Sequence, residues 1–291
     1  MSTAVVTDST AYLPAELVSE HDIRSASLYV TLDGEERRES EISGEAYDDF
    51  YERLRRSEKG ATTSQPSVGD FTAIYEPLLA EGRDIVSIHI SAGISGTFDS
   101  ATQARQAMID SGAGGERIQV WNSRSACGGQ GLMTLIAARN AAAGASGEEV
   151  MKVVADARES LKMWFAIDTL EYLRKGGRIG AAQAWMGSAL QIKPILTLEE
   201  EITPVERVRT RKRAFERMVD YAREHKQAGA DAWVVQHIHD PDTARQLVDQ
   251  CRQIFGDDPI FVSEIGPVIG AHIGPGLLGF GGLPRSFLSG V

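Results

Sequence analysis

The sequence predicts an α/β protein of two domains. The first is built on a parallel sheet with flanking helices, and the second is a mixed α/β domain. Three observations predict this. Short β-branched runs such as Thr3-Ala4-Val5-Val6-Thr7 alternate with helix-like segments, the pattern of parallel βαβ units. The chain has 291 residues, about twice a common domain size. Composition shifts at Ala141-Ala142-Ala143-Gly144-Ala145, which places a boundary before Lys162 and gives domains 1–160 and 161–291.

The elements follow in order. Thr3–Thr7 reads as a strand, and Pro14 suits the first turn of a helix. Ile23 to Leu32 is strand-like, and Asp33-Gly34 is a hairpin turn signal. Gly44 to Arg56 is helical, and Thr62 to Pro66 reads as a loop. Ser67-Val68-Gly69-Asp70 fits a capping box that opens a helix to Ala80. Asp84 to Ile90 is a buried strand. Ser91 to Gly96 is a small-residue loop before a helix from Thr97 to Asp110. A strand at Arg117–Trp121 precedes helices around Gly129–Ala143 and Gly147–Leu161.

The second half carries strands at Trp164–Ile167, Ile192–Leu198, Ile202–Val208, Ala232–His237 and Pro259–Ser263. The acidic turn Glu199-Glu200-Glu201 makes the second and third of these an antiparallel hairpin, so this sheet is mixed. Ala181 to Leu190 is apolar enough for a helix and reads as core. Gly266 to Gly276 shows neither helix nor strand period and reads as a loop.

Charge and composition exclude several functions. Thirty basic against 41 acidic residues give a net charge of -11, which repels nucleic acid and anionic membranes. No run of 18 apolar residues exists, and the N-terminus lacks the basic and apolar regions of a signal peptide. Cys127 and Cys251 are too few for a disulfide scaffold and read as small buried hydrophobes of a cytoplasmic protein. No Walker A pattern occurs. Gly274-Pro275-Gly276-Leu277-Leu278-Gly279 matches a dinucleotide fingerprint but leaves only 12 residues after it, too few for a βαβ unit.

Three strands end in hydroxyl-rich turns: Asp8-Ser9-Thr10, Thr62-Thr63-Ser64 and Ser91–Thr97. Ligands of open parallel sheets bind outside the carboxyl ends of the strands. The third turn opens a helix, where free N–H groups favour an anion, although each turn also suits a helix cap. His89 sits in an apolar strand and reads as a core residue. His237 and His239 lie two apart, but no third metal ligand is evident. His272, in a Gly/Pro-rich segment, is the better site candidate. Leu170 to Lys175 ends at Gly176-Gly177 and leaves Arg178 on a turn. The basic cluster Arg207, Arg209, Arg211, Lys212, Arg213 and Arg217 is a solvated face or an anion or partner site.

Together these segments resemble the DegV family of bacterial lipid-binding proteins. The match includes Asp8-Ser9-Thr10, Thr63-Ser64-Gln65-Pro66-Ser67, Ser95-Gly96-Thr97 and Lys175-Gly176-Gly177-Arg178. It continues through Lys193-Pro194-Ile195-Leu196, Arg209-Thr210-Arg211-Lys212 and Gly270–Gly276. The resemblance implies a two-domain fold with a long-chain fatty acid in a tunnel between 1–160 and 161–291. It implies that Thr63 and Ser95 hold the carboxylate, with Gly96 and Thr97 beside Ser95 and with His272 and Arg209 nearby. Arg207 and Arg211 are rivals of Arg209. The implied role is the fatty-acid-binding subunit of a bacterial fatty acid kinase. Such a subunit presents the carboxylate to a separate ATP-binding subunit and carries away acyl phosphate, with an acyltransferase of phospholipid synthesis as a further partner. Arg178 is the implied partner contact. No catalytic residue, cofactor or metal is implied in this chain. The sequence departs from the family at Ala92, where a second Ser is more common.

Chain burial fits that division of labour. About 14 methylenes of a C16 acid, at roughly 0.8 kcal/mol each, are worth about 11 kcal/mol before ordering costs. The polar loops then orient the head group. Two other readings differ in chemistry: a phosphotransferase-like enzyme that holds substrate covalently on His272, and a hydrolase with Ser95 as nucleophile.

Overall fold

The structure is a computed structural model that describes residues 2–186 and 192–290. In chain order, the segment before residue 29 holds β1 (Thr3–Asp8), α1 (Ala15–Glu20) and β2 (Arg24–Ala26). Residues 29–64 hold β3 (Tyr29–Leu32), β4 (Glu35–Arg38), α2 (Glu45–Arg56) and β5 (Ala61–Ser64). Then come α3 (Val68–Ala80), β6 (Asp84–His89), α4 (Thr97–Asp110), β7 (Ile118–Asn122), α5 (Cys127–Ala142) and α6 (Gly147–Ser160). From residue 162 the chain forms β8 (Lys162–Ala166), α7 (Glu171–Lys175), β9 (Lys193–Leu198), β10 (Ile202–Val208), α8 (Arg211–Gln227) and β11 (Ala232–His237). It continues with α9 (Pro241–Phe255), β12 (Phe261–Glu264), α10 (Pro267–Ile273) and β13 (Leu278–Leu283).

The chain divides into two units. The first comprises residues 1–28, 65–161 and 284–291; the second comprises 29–64 and 162–283. The linear division at 160/161 assigned residues 29–64 to the first domain and 284–291 to the second. Side chains redraw it. Tyr51 donates to the Ile265 carbonyl at 2.7 Å, and Glu39 accepts the Val268 amide at 2.8 Å, which ties 29–64 to the later segment. Arg139 and Asn140 donate to the carbonyls of Leu288 and Phe287 and hold the C-terminal turn to the first unit.

The first unit is built on a parallel sheet of order β2-β1-β6-β7. β1 is central and buried along its whole length, as a β-branched run between two neighbours demands. Phe71 and Tyr75 of α3 and Ala101, Ala104 and Met108 of α4 close one core with Val6 and Ile85. The Ser67–Asp70 capping box is present: the Asp70 amide donates to Ser67 Oγ at 3.1 Å, and the Ser67 amide donates to the Asp70 carboxylate at 2.9 Å.

The second unit carries a six-stranded mixed sheet, β10-β9-β8-β13-β11-β12, and an antiparallel three-stranded sheet, β4-β3-β5. β9 and β10 form the expected antiparallel hairpin. Asp33 and Gly34 both take positive φ, 55° and 85°, and join β3 to β4.

Several expectations are corrected. Ile23–Leu32 is two strands, β2 and β3, in different sheets. Thr62–Ser64 is strand rather than loop, because β5 pairs with β3 and sets Thr63 opposite Val30. The strands expected from sequence do not include β13, yet it lies between β8 and β11. Its glycines are required there: a Cβ on Gly281 would meet the Lys162 carbonyl at 2.4 Å, and one on Gly282 would meet that of Ala232 at 2.3 Å. Residues 180–185 form a 3-10 turn with Gln183 and Ala184 exposed, so this part is not core; Gly187–Leu190 lie outside the described residues. Cys251 is buried, but Cys127 is only half-buried and has φ 53° at the start of α5. No helix among the described residues is long and apolar enough to cross a membrane.

Candidate functional site

In the first unit the hydroxyl turns lie at the carboxyl ends of neighbouring parallel strands. The Asp8-Ser9-Thr10 turn is structural. Asp8 accepts from the Thr10 and Ile90 amides, each at 3.0 Å, from the Thr10 hydroxyl at 2.5 Å and from His89 Nδ1 at 3.1 Å. Burial would push its carboxyl up, but His89, Thr10 and the Ile90 amide hold it below the usual carboxylate range. His89 Nε2 lies 2.7 Å from Ser87 Oγ, which is 2.7 Å from the Tyr75 hydroxyl. This Ser–His–Asp relay is fully buried, so it ties β1 to β6 and offers no nucleophile to a substrate. His89 is the satisfied core residue that its strand position predicts.

The Ser95-Gly96-Thr97 turn is different. Ser95 and Gly96 are half-buried, and Thr97 is buried at the start of α4. Ser95 Oγ lies 2.9 Å from Thr97 Oγ1 and accepts the Thr97 amide at 3.3 Å. Gly96 packs under Gln65, whose Nε2 would be 2.9 Å from a Cβ there. The loop is held by Asn122, whose side-chain Oδ1 accepts the amides of Ala92 and Arg124. Among the described residues Thr97 is the only side chain hydrogen-bonded to Ser95 Oγ.

In the second unit, Thr63 Oγ1 lies 2.7 Å from His272 Nε2. His272 sits in the last turn of α10, not in a loop as its glycine-rich surroundings suggested. The glycines are there because rings press on the backbone. A Cβ on Gly270 would meet the Tyr51 hydroxyl at 2.3 Å, and one on Gly274 would meet the Tyr172 ring at 2.3 Å. A Cβ on Gly176 would meet His272 Nδ1 at 2.2 Å. That nitrogen is buried without a hydrogen-bond partner among the described residues. Burial and the neighbouring Arg178 charge push the ring down to about 4, so it is neutral at pH 7. Arg178 itself is exposed and donates to the Gly176 carbonyl at 2.7 Å.

Residues 39 and 51 complete this arrangement and were missed in sequence. Glu39, 3% exposed, accepts at the first turn of α10, and Tyr51 donates to the Ile265 carbonyl two residues before that helix. Their signal is tertiary: nothing in a charged segment such as Glu35–Glu41 marks one glutamate as buried.

Of the three candidate arginines, Arg207 stacks over Trp185 at 5.3 Å and Arg211 pairs with Asp168 and Asp240. Arg209 is exposed and makes no ion pair among the described residues. His237 takes the Asp240 amide at 3.4 Å and His239 reaches Asp48 at 3.0 Å, so the two rings serve separate partners. No cluster of three metal-ligating side chains occurs among the described residues.

Comparison with known proteins completes the description. A family model described as "Uncharacterised protein, DegV family" matches residues 2–285. A DegV domain-containing protein of Streptomyces coelicolor is 39% identical over 281 residues, 95% of this chain and 96% of that protein. A structure described as fatty acid binding of a DegV family protein from Thermus thermophilus matches with a TM-score of 0.86. It is 33% identical and covers 98% of this chain and 100% of that one. The crystal structure of DegV from Bacillus subtilis, described as a fatty acid binding protein, matches with a TM-score of 0.84. It is 34% identical and covers 97% of this chain and 99% of that one.

Proposed function

The chain belongs to the DegV family, and we propose that it is a lipid carrier, not an enzyme on its own. It binds a long-chain fatty acid and presents the carboxylate to a separate ATP-binding kinase subunit, which releases acyl phosphate toward an acyltransferase. The observation that carries the binding step is the whole-chain likeness to two solved proteins described as fatty acid binding. The two free cysteines and acidic balance fit a cytoplasmic protein.

We assign carboxylate recognition to Thr63, Ser95, Gly96, Thr97, Arg209 and His272. The neutral His272 ring supports this. With its proton on Nε2 it donates to Thr63 Oγ1, which leaves the threonine hydroxyl free to donate to an anionic oxygen. A charged acceptor makes such bonds worth about 1.5–3 kcal/mol each, less than the burial of the acyl chain. The donors therefore fix where the carboxylate sits more than whether the acid binds. Arg209 makes no ion pair among the described residues and suits the anion; Arg178, exposed beside Gly176, suits the kinase subunit.

A paired measurement tests the reading: fatty acid bound per protein, and acyl phosphate formed with the kinase subunit. Ser95→Ala and Thr63→Ala should keep most of the lipid yet lose about 100-fold in phosphorylation, since misplacement of about 1 Å costs that much. Arg178→Glu should lower phosphorylation and leave lipid binding intact. Unchanged phosphorylation in Ser95→Ala and Thr63→Ala would remove the site assignment.

A further inference from the structure

The second unit contains a cavity of about 290 Å³ where β8 ends and where α8 and α9 begin. Its floor is apolar: Ala166, Ile167, Ala214, Phe215 and Leu278. Its rim is charged, with Lys193, Arg211 and Lys212 facing Asp168 and Asp240. Three cations thus meet two carboxylates in a chain whose net charge is -11.

Hydrogen-bond capacity sharpens the imbalance. Arg211 gives Nε to Asp168 at 3.0 Å and Nη2 to Asp240 at 3.2 Å. Lys193 donates to the Asp168 carboxylate at 3.0 Å and carbonyl at 3.2 Å. The Thr243 hydroxyl gives its proton to Asp240 at 2.7 Å. Both carboxylates are engaged, whereas a guanidinium has five N–H groups and an ammonium three. Donors remain on Arg211 and Lys193, and Lys212 makes no hydrogen bond or ion pair through its side chain among the described residues. An acceptor-rich anion would match these donors.

We propose that this cavity binds a small organic phosphomonoester. Its phosphate carries nearly two negative charges and three acceptor oxygens, which match Lys193, Arg211 and Lys212 better than a carboxylate does. The volume exceeds that of the phosphate alone and is close to the smallest common ligand pockets, so the organic group lies on Phe215 and the apolar floor. The proposal is independent of the fatty acid reading, because no cavity residue is among those assigned to the carboxylate.

Calorimetric titration of the full-length protein with phenyl phosphate at constant ionic strength tests it. Saturable binding at or below about 1 mM is expected. Lys212→Ala, which removes an exposed side chain without a partner among the described residues, should weaken it about tenfold, and Lys212→Arg should restore it. Inorganic phosphate should bind more weakly than the ester. Lack of saturation at about 10 mM, an unchanged affinity in Lys212→Ala, or equal affinity for inorganic phosphate would each overturn the assignment.

Discussion

His89 and His272 each place Nε2 at 2.7 Å from a hydroxyl, Ser87 in one case and Thr63 in the other. Their remaining ring nitrogens separate them. His89 Nδ1 meets the Asp8 carboxylate at 3.1 Å, and Asp8 in turn collects the Ile90 and Thr10 amides. His272 Nδ1 is buried against Gly176 with no hydrogen-bond partner among the described residues. The first ring is fully paired and holds two strands together. The second keeps an unspent polar atom, has its basicity suppressed, and rests on a glycine that leaves it just enough room. Partner saturation, not residue type, distinguishes the two imidazoles.

The comparison can be broken at either ring. The largest effect is expected at Asp8→Ala, which strips a buried carboxylate from four donors. Removing one partner of a buried pair costs about 3–5 kcal/mol, so urea denaturation should show a loss of that order. A loss below about 1 kcal/mol would mean the relay does not support the first unit. Next comes Gly176→Ala. The new methyl group must displace the His272 ring, and the proposed carrier should then lose about 100-fold in acyl phosphate formation while keeping its lipid. Unimpaired phosphorylation would detach His272 from the head group.

How much of this was legible in the sequence follows the same division. β1, β6 and α4 were readable because β-branched runs, hydroxyl turns and helix starts are local signals. The Ser67–Asp70 box and the Asp33-Gly34 turn were equally local. β13 was hidden because its glycines answer to Lys162 and Ala232 on neighbouring strands, not to local propensity. The helix around His272 was hidden for a related reason: Gly270 and Gly274 make room for Tyr51 and Tyr172. The membership of residues 29–64 in the second unit rests on contacts from Glu39, Tyr51 and Thr63 to residues more than 200 positions later. No pattern along the chain encodes that.

A smaller effect concerns pH. His272 and His225 are both pushed down to about 4 from an ordinary value near 6.5, by burial above all. Between those values the unfolded chain binds protons that the folded chain refuses, so stability rises with pH across that window and is lost as pH falls from about 6.5 toward 4. Denaturation midpoints at pH 7, 5.5 and 4.5 should fall in that order, and His272→Gln should flatten part of the slope. A midpoint that holds constant over this range would mean both rings protonate freely in the folded state.

The most direct test of the carrier reading is native mass spectrometry of the protein as purified, followed by extraction and identification of what is released. The account predicts a mass increment of one long-chain fatty acid per chain, and rebinding of a C14–C18 acid after delipidation. Protein that carries no acid as purified and takes up none after delipidation would contradict it.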